Sequence, residues 1–187
     1  MDWHDNSRKT AFQPHALLSP SKPYWINYSK EKLQSIFENH KKAVLGTKIH
    51  AFVNDAITLK IRLPNNQATI NSYVNDAIGF DMETEMVLYY SPNAYGTVDA
   101  ISFQNNTLRI HDLKTGSTKP QSRQLEVYAA LFCLEYSKIP SSIDILLSIY
   151  QNDEVLKWSP DPEDILMIMD RIVEQDARIN EMEALYV

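Results

Sequence analysis

Three short strand-like segments follow one another in the middle of this chain, and only brief turn signals separate them. The segments are Glu83–Tyr90, Tyr95–Phe103 and Thr107–Lys114, joined by Ser91-Pro92-Asn93 and Asn105-Asn106. Short connections of this composition are typical of hairpins between antiparallel strands. The sequence therefore predicts a three-stranded antiparallel meander, around which the rest of the chain must be arranged.

Helical patterns flank this meander on both sides. The predicted elements are, in chain order, helices over Ser29–Val44, Thr47–Leu59 and Ala68–Ile78, the meander, a helix over Gln121–Tyr136, strands over Ile143–Tyr150 and Val155–Trp158, and an amphipathic helix over Pro160–Leu185. Gly46 either interrupts the first helical stretch or only weakens it. This order predicts a mixed α/β (α+β) fold, in which a central mixed sheet carries the meander and is flanked by helices.

Length and composition favour one globular domain over residues 1–187. The chain has 187 residues, of which 44% are apolar, enough for one sizeable core. We expect residues 1–17 to form a flexible N-terminus and residues 160–187 to form an acidic helix.

No apolar run approaches the roughly 20 residues that span a bilayer, and the polar start lacks the apolar stretch of a signal peptide. We therefore expect a cytoplasmic protein without a membrane partner.

The chain contains 1 cysteine, Cys133. It lies in an apolar helical segment, so we expect it to be a small buried hydrophobic residue. A single cysteine excludes a disulfide within the chain, and it also excludes zinc or iron-sulfur clusters that need several cysteine ligands.

Charge is distributed unevenly along the chain, whose net charge is −6. Residues 1–62 hold ten Lys and Arg against five Asp and Glu, residues 63–160 hold six against eleven, and residues 161–187 hold two against eight. The basic N-terminal third is therefore a candidate for contacts with phosphates. The alternative is that Lys30, Lys32, Lys41 and Lys42 only solvate a helix.

Two carboxylates and a lysine lie on neighbouring strands of the predicted meander. Asp112 and Lys114 are two residues apart, so both side chains point to one face, and the adjacent strand brings Asp99 up beside them. Mg²⁺ and Mn²⁺ prefer oxygen ligands, and a lysine beside such a metal can orient the attacking water or stabilise charge on a phosphate. The spacing therefore indicates phosphodiester cleavage, although Asp-x-Lys pairs also occur as solvated charges on strand edges.

Glu85 is a further candidate catalytic carboxylate, because it lies in the strand that precedes Asp99. Glu83 is its neighbour on the same face of that strand. A shift of one residue in the strand register would turn both side chains away from the site. The sequence therefore leaves the position of Glu85 open.

Five short motifs occur in order along the chain. They are Ser19-Pro20-Ser21, Gly46-Thr47-Lys48-Ile49-His50, Gly96-Thr97-Val98-Asp99, Asp112-Leu113-Lys114 and Gln124-Leu125-Glu126-Val127-Tyr128. From about Leu18 to Tyr150 the chain resembles the PD-(D/E)XK nuclease superfamily, and within it the RecB-type branch that includes phage recombination exonucleases and the nucleases of CRISPR adaptation. Each motif is weak alone, whereas five in this order are specific.

The resemblance implies a restriction-endonuclease-like core and a role for each motif residue. His50, Asp99 and Asp112 would bind Mg²⁺ or Mn²⁺, and Leu113 would add its backbone carbonyl. Lys114 would act on the water or the phosphate. Further residues are assigned to substrate binding, namely Gln124 and Tyr128, which would touch the phosphate or position Lys114, and Ser19, Ser21, Lys22 and Arg123 as phosphate contacts. For His50 the alternative is a hydrogen-bonded histidine inside a helix pair.

The chain departs from the family pattern at identifiable places. Val98 stands where the superfamily has its proline, a variation that the RecB-type branch tolerates. The cysteines that bind an iron-sulfur cluster in some relatives are missing, so no such cluster is expected. No Gly-x-x-x-x-Gly-Lys phosphate loop is present, so no nucleotide cofactor is expected either.

The expected activity is that of a metal-dependent deoxyribonuclease, an exonuclease at DNA ends in recombination, repair or phage replication, in a bacterial or phage-infected cell. One alternative is a structure-selective or nicking endonuclease. Another, from a different class, is a non-catalytic DNA-binding or regulatory subunit with a nuclease fold. The expected partner is DNA, as double-stranded ends or single strands, while a recombination or annealing protein and an oligomeric state remain open.

Overall fold

The structure, a computed structural model, describes residues 16–116 and 121–185. Most of the predicted flexible segment 1–17 lies outside the described residues.

By its internal contacts the chain divides into a unit of residues 1–47 and a unit of residues 48–187. In the described part of the first unit, a 3-10 helix, Pro23–Asn27, precedes the long helix α1, Lys30–Thr58, of which residues 48–58 belong to the second unit. Helix α1 continues through Gly46, because the roughly 1 kcal/mol that one glycine costs is small for a helix of this length.

The second unit contains the remaining elements, and their ends lie close to the predicted ones. They are α2 (Thr69–Gly79), β1 (Glu83–Ser91), β2 (Ala94–Gln104), β3 (Thr107–Leu113), α3 (Ser122–Glu135), a 3-10 turn (Pro140–Ser142), β4 (Asp144–Gln151), β5 (Glu154–Trp158) and α4 (Pro162–Ala184). Helix α4 begins later than predicted, because the Asp161 side chain caps it by accepting from the Glu163 backbone N–H at 2.9 Å. No helix in the described ranges is long and apolar enough to cross a membrane.

The five strands form one sheet in the order β1-β2-β3-β4-β5. Strands β1, β2 and β3 pair antiparallel, as predicted for the meander. Strand β4 is parallel to β3, so a crossover is needed between them, and it contains α3. Strand β5 pairs antiparallel with β4, so the predicted pairing of the last two strands is confirmed.

Helices cover both faces of this sheet. Successive residues of a strand point to opposite faces, and Ile149 and Tyr150 accordingly belong to different cores. The core of Ile149 packs α3 and α4 against the sheet and contains the fully buried Cys133, as predicted. The core of Tyr150 packs α2 and the C-terminal end of α1 against the sheet. The strand ends that carry the predicted site therefore lie between two apolar layers.

Candidate functional site

Strand pairing brings Asp99 and Asp112 next to each other. Ala100 of β2 pairs with His111 of β3, so Asp99 and Asp112 follow as the next neighbours along this antiparallel register. Oδ2 of Asp99 accepts a hydrogen bond from the backbone N–H of Leu113 at 2.9 Å. Asp112 is 5% exposed and its strand is central in the sheet. The Asp-x-Lys motif is thus not a solvated pair on a strand edge.

Two side chains hold Lys114 in place, and a third supports one of them. Its Nζ donates to Oδ1 of Asp112 at 3.0 Å and to Oε1 of Gln124 at 3.3 Å. Nε2 of Gln124 donates in turn to the hydroxyl of Tyr128 at 3.4 Å, four residues further along α3. The Asp112-Leu113-Lys114 motif and the motif of Gln124 and Tyr128 therefore meet at the ammonium group of Lys114, since α3 presents Gln124 and Tyr128 on one face.

A glycine on β2 makes room for the aromatic ring in this arrangement. The Tyr128 hydroxyl donates to the carbonyl of Thr97 at 2.7 Å. A Cβ on Gly96 would lie 2.9 Å from the Cε1 atom of the Tyr128 ring, which is closer than side-chain carbons approach. Gly96 is therefore needed here for the close approach of α3 to β2.

A second cluster, of side chains that could hold a metal ion, shares Asp99. His50 of α1, Glu85 of β1 and Asp99 offer ligand atoms that all lie within 4.8 Å of one another. Nδ1 of His50 is 3.8 Å from Oδ2 of Asp99. Glu85 has a φ of 53°, a left-handed conformation that is unusual for a non-glycine residue in a strand. This local irregularity allows the carboxylate of Glu85 to reach His50 and Asp99.

Burial dominates the electrostatics of Asp99. The pKa of Asp99 is raised above its usual value, chiefly because burial removes the carboxylate from water, and the negative charge of Asp112 adds to the rise. The hydrogen bond from Leu113 and the charges of His50 and Lys114 lower it. Oδ2 of Asp112 is buried and has no hydrogen-bond partner among the described residues. An unpaired buried carboxylate oxygen is costly, and a divalent cation would satisfy it.

The donor set suits the metals that the sequence predicts. It consists of carboxylate oxygens from Glu85, Asp99 and Asp112 together with one imidazole nitrogen from His50. Carboxylate oxygen suits Mg²⁺ and Mn²⁺, and imidazole is a ligand for transition metals. The backbone N–H of Leu113 donates to Asp99, and the role of the Leu113 carbonyl as a metal ligand stays a prediction.

The remaining predicted contacts lie elsewhere or in the other unit. Arg123 pairs with Glu126 on its own helix at 2.9 Å. Ser19, Ser21 and Lys22 belong to the unit of residues 1–47, where the two seryl hydroxyls are 2.8 Å apart and the Lys22 backbone N–H donates to the Ser19 carbonyl at 3.1 Å. Their predicted phosphate contacts stay predictions.

Two residues of the site were not singled out from the sequence. The Thr97 carbonyl anchors Tyr128, a contact that no side-chain motif can signal. Tyr73 of α2 is 1% exposed and lies close enough to Asp99, Asp112 and Glu85 for their charges to help burial raise its pKa well above its usual value. A buried tyrosine on a predicted amphipathic helix looks like core packing in the sequence.

Comparisons with known proteins identify no family for this chain. No family model matches the chain, and no curated protein matches it. A solved structure, "Crystal structure of SSO0001", is similar at 12% identity with a TM-score of 0.37, over 81% of this chain and 68% of that chain. At that identity and TM-score the likeness assigns neither a family nor a function.

Proposed function

We propose that this protein is a metal-dependent deoxyribonuclease of the RecB type that hydrolyses phosphodiester bonds and acts as an exonuclease at DNA ends. The observation that carries the proposal is the convergence of two groups on Asp99. One group is the His50, Glu85 and Asp99 cluster, and the other is the ion pair between the buried Asp112 and the partly exposed Lys114. Such a combination of several metal-binding oxygens and one anchored ammonium is what phosphodiester hydrolysis requires.

The metal ligands in this proposal are His50, Glu85, Asp99 and Asp112, with the carbonyl of Leu113. A bound Mg²⁺ or Mn²⁺ would supply Lewis acidity for the phosphate and would lower the pKa of a water molecule. The protein keeps Asp112 out of bulk water and buries most of Asp99, which strengthens the interaction of their charges with groups inside the site.

Lys114 is the proposed catalytic cation. Its ammonium is held between Asp112 and Gln124, so it loses little conformational freedom when the substrate arrives. From this position it orients the attacking water or stabilises the negative charge that develops on the phosphate. Gln124 and Tyr128 act as positioning residues, because they hold the ammonium through Oε1 of Gln124.

The basic N-terminal third supplies the proposed contacts with the DNA backbone. Ten Lys and Arg against five Asp and Glu in residues 1–62 give a segment of opposite sign to the rest of the chain. Positive segments attract the phosphate backbone independently of base sequence. A nuclease that removes nucleotides from any DNA end needs binding of this kind. Its proposed setting is recombination, repair or phage replication.

Digestion of end-labelled DNA tests the activity and the assignment of Lys114. The purified protein with Mg²⁺ or Mn²⁺ should degrade linear DNA, and Lys114→Ala should lower kcat by about 10²- to 10⁴-fold. Lys138→Ala is the matched control, because its ammonium lies over the Phe103 ring and contacts no site residue in the described structure. Full activity of Lys114→Ala would refute its catalytic role.

A closed circular plasmid beside the linear fragment separates the two kinds of nuclease. An exonuclease leaves the circle intact, whereas cleavage of the circle would show an endonuclease. Calorimetric titration with Mn²⁺ addresses the non-catalytic alternative. Binding that Asp112→Ala abolishes supports the metal site, and its absence together with inactivity on all DNA substrates would mean that the chain is a binding or regulatory subunit.

A further inference from the structure

A pocket with a mostly apolar lining and a few polar side chains lies on the sheet face opposite to Asp112. His111 immediately precedes Asp112 in β3, so the two side chains point to opposite faces. Ser148 of β4 pairs with His111, and Lys157 of β5 pairs with Ser148, so these three residues form a row across three strands. Arg109 is two residues before His111 and lies on the same face. The row and Arg109 form the floor of the pocket.

The pocket has room for a small ligand. Its volume is about 270 Å³, just below the usual range of about 300 to 1,000 Å³ for sites that bind drug-sized molecules. Phe80, directly after α2, forms one wall, and the guanidinium of Arg109 lies over its ring at 4.7 Å from the centroid. This contact holds the Arg109 guanidinium against the Phe80 wall of the pocket.

Hydrogen bonds behind the floor determine which nitrogen of His111 is available. The hydroxyl of Tyr150 is 2.7 Å from Oδ2 of Asp76 and must donate its only proton to that carboxylate. The same hydroxyl oxygen is 3.3 Å from Nδ1 of His111, so Nδ1 must carry the proton and donate to it. Nε2 of His111 is then an acceptor. No hydrogen bond to Nε2 occurs among the described residues, and His111 lines the pocket.

Two cations and one hydroxyl complete the set of binding groups. Lys157 is 58% exposed in its side chain, and its Nζ pairs loosely with Asp76 at 3.5 Å. Arg109 and Lys157 flank His111, whose ring is buried at 3% exposure. Ser148 is 4% exposed and offers a hydroxyl between them. The pocket therefore combines positive charge with an imidazole acceptor.

We propose that this pocket binds a small organic anion, phosphorylated or carboxylated, that also carries a hydroxyl or N–H group. The anion lies between Arg109 and Lys157 and accepts from the Ser148 hydroxyl, while the hydroxyl or N–H of the ligand donates to Nε2 of His111. Charge-assisted hydrogen bonds of this kind recognise phosphate and carboxylate groups. The site is independent of the proposed nuclease function and uses none of its residues.

Isothermal titration calorimetry tests this proposal with four probes, in the absence of divalent metal. Glycerol 3-phosphate carries both an anion and hydroxyls, methyl phosphate lacks the hydroxyls, glycerol lacks the anion, and lactate replaces phosphate by carboxylate. We expect binding of glycerol 3-phosphate or lactate to exceed that of methyl phosphate, and glycerol not to bind. The stronger of the two hydroxylated anions identifies which anionic group the pocket prefers.

Variants connect this binding to the pocket. Arg109→Gln and Lys157→Gln should each weaken binding of the stronger probe by about tenfold. Arg178→Gln and Lys138→Gln are matched controls outside the pocket and should leave binding unchanged. Both pocket residues are partly exposed, so these variants should fold, which circular dichroism checks. Either of two results would overturn the proposal. One is the absence of saturable binding for all four probes. The other is equal binding by Arg109→Gln, Lys157→Gln and the controls.

Discussion

Gly96 of β2 leaves the space that the ring of Tyr128 on α3 occupies. A Cβ at position 96 would lie 2.9 Å from Cε1 of Tyr128, while the hydroxyl of that ring donates to the Thr97 carbonyl at 2.7 Å. Through Gln124 the same tyrosine is connected to the ammonium of Lys114. The glycine of one motif therefore decides where the polar residues of another motif are placed.

Gly96→Ala should displace the Tyr128 ring and release Lys114 from its position. We expect kcat for DNA hydrolysis to fall by about tenfold, the effect of losing one orienting hydrogen bond, while KM changes little. Tyr128→Phe, which removes only the hydroxyl, should give a similar loss. Gly79→Ala is the control, because an added Cβ there has no neighbour within 4 Å. Unchanged kcat in both site variants would show that Tyr128 does not position Lys114.

Glu85 combines an unfavourable backbone conformation with a position in the proposed metal site. Glu85→Gly should raise the free energy of unfolding by about 1 kcal/mol, because glycine adopts a positive φ without steric cost. The same variant should weaken Mn²⁺ binding by at least about tenfold, since it removes a ligand. Urea denaturation and calorimetry measure the two effects.

Glu83→Gln provides the comparison for Glu85, because Glu83 is in the same strand, is exposed, and is not among the clustered ligands. It should change neither stability nor Mn²⁺ affinity appreciably. A Glu85→Gly protein that keeps full Mn²⁺ affinity would remove Glu85 from the proposed ligand set.

His111 should make stability depend on pH. Its pKa is lowered from 6.5 to about 4, chiefly by burial, with Lys157 and Arg109 also lowering it and Asp76 acting in the opposite direction. Between these values the unfolded chain binds a proton that the folded protein does not. The contribution of the neutral His111 to the free energy of unfolding is therefore fully present above the pKa that histidine has in the unfolded chain. It is lost as the pH falls towards 4, and the total loss is roughly 3 kcal/mol.

Urea denaturation of the wild type and of His111→Gln at about pH 7.5 and about pH 5 measures this contribution. The wild type should lose more stability between the two conditions than the variant. A nuclear magnetic resonance titration of the His111 ring gives an independent value of its pKa. A midpoint near 6.5 in the folded protein would contradict the expectation.

The lysines of the first part of α1 provide a test of DNA binding. Combined replacement of Lys30, Lys32, Lys41 and Lys42 by Gln should reduce the dependence of affinity on salt, with a slope change of about 0.9 for each lysine that contacts a phosphate. Fluorescence anisotropy without divalent metal measures binding without cleavage. An unchanged slope would mean that these lysines only solvate the helix.

Local patterns were sufficient to predict the elements of the sheet. Alternation along the strands and the turn residues between them depend on neighbouring residues only, so the meander, α3 and the final pair of strands could be predicted. The face shared by Asp112 and Lys114 follows from the two-residue period of a strand. Ends of helices were less certain, as at Pro162, because capping depends on a single hydrogen bond.

By itself, then, the sequence determined the order of the elements and the pairing of Asp99 with Asp112 and Lys114, since these depend on period and turn length. Only the tertiary structure decided that Glu85 turns towards His50 and Asp99. It also decided that Gly96 accommodates Tyr128 and that His111, Ser148 and Lys157 form a row on the opposite face. The physical reason is that these contacts arise from the packing of helices on the sheet and from strand register across long separations in sequence, which no local pattern encodes.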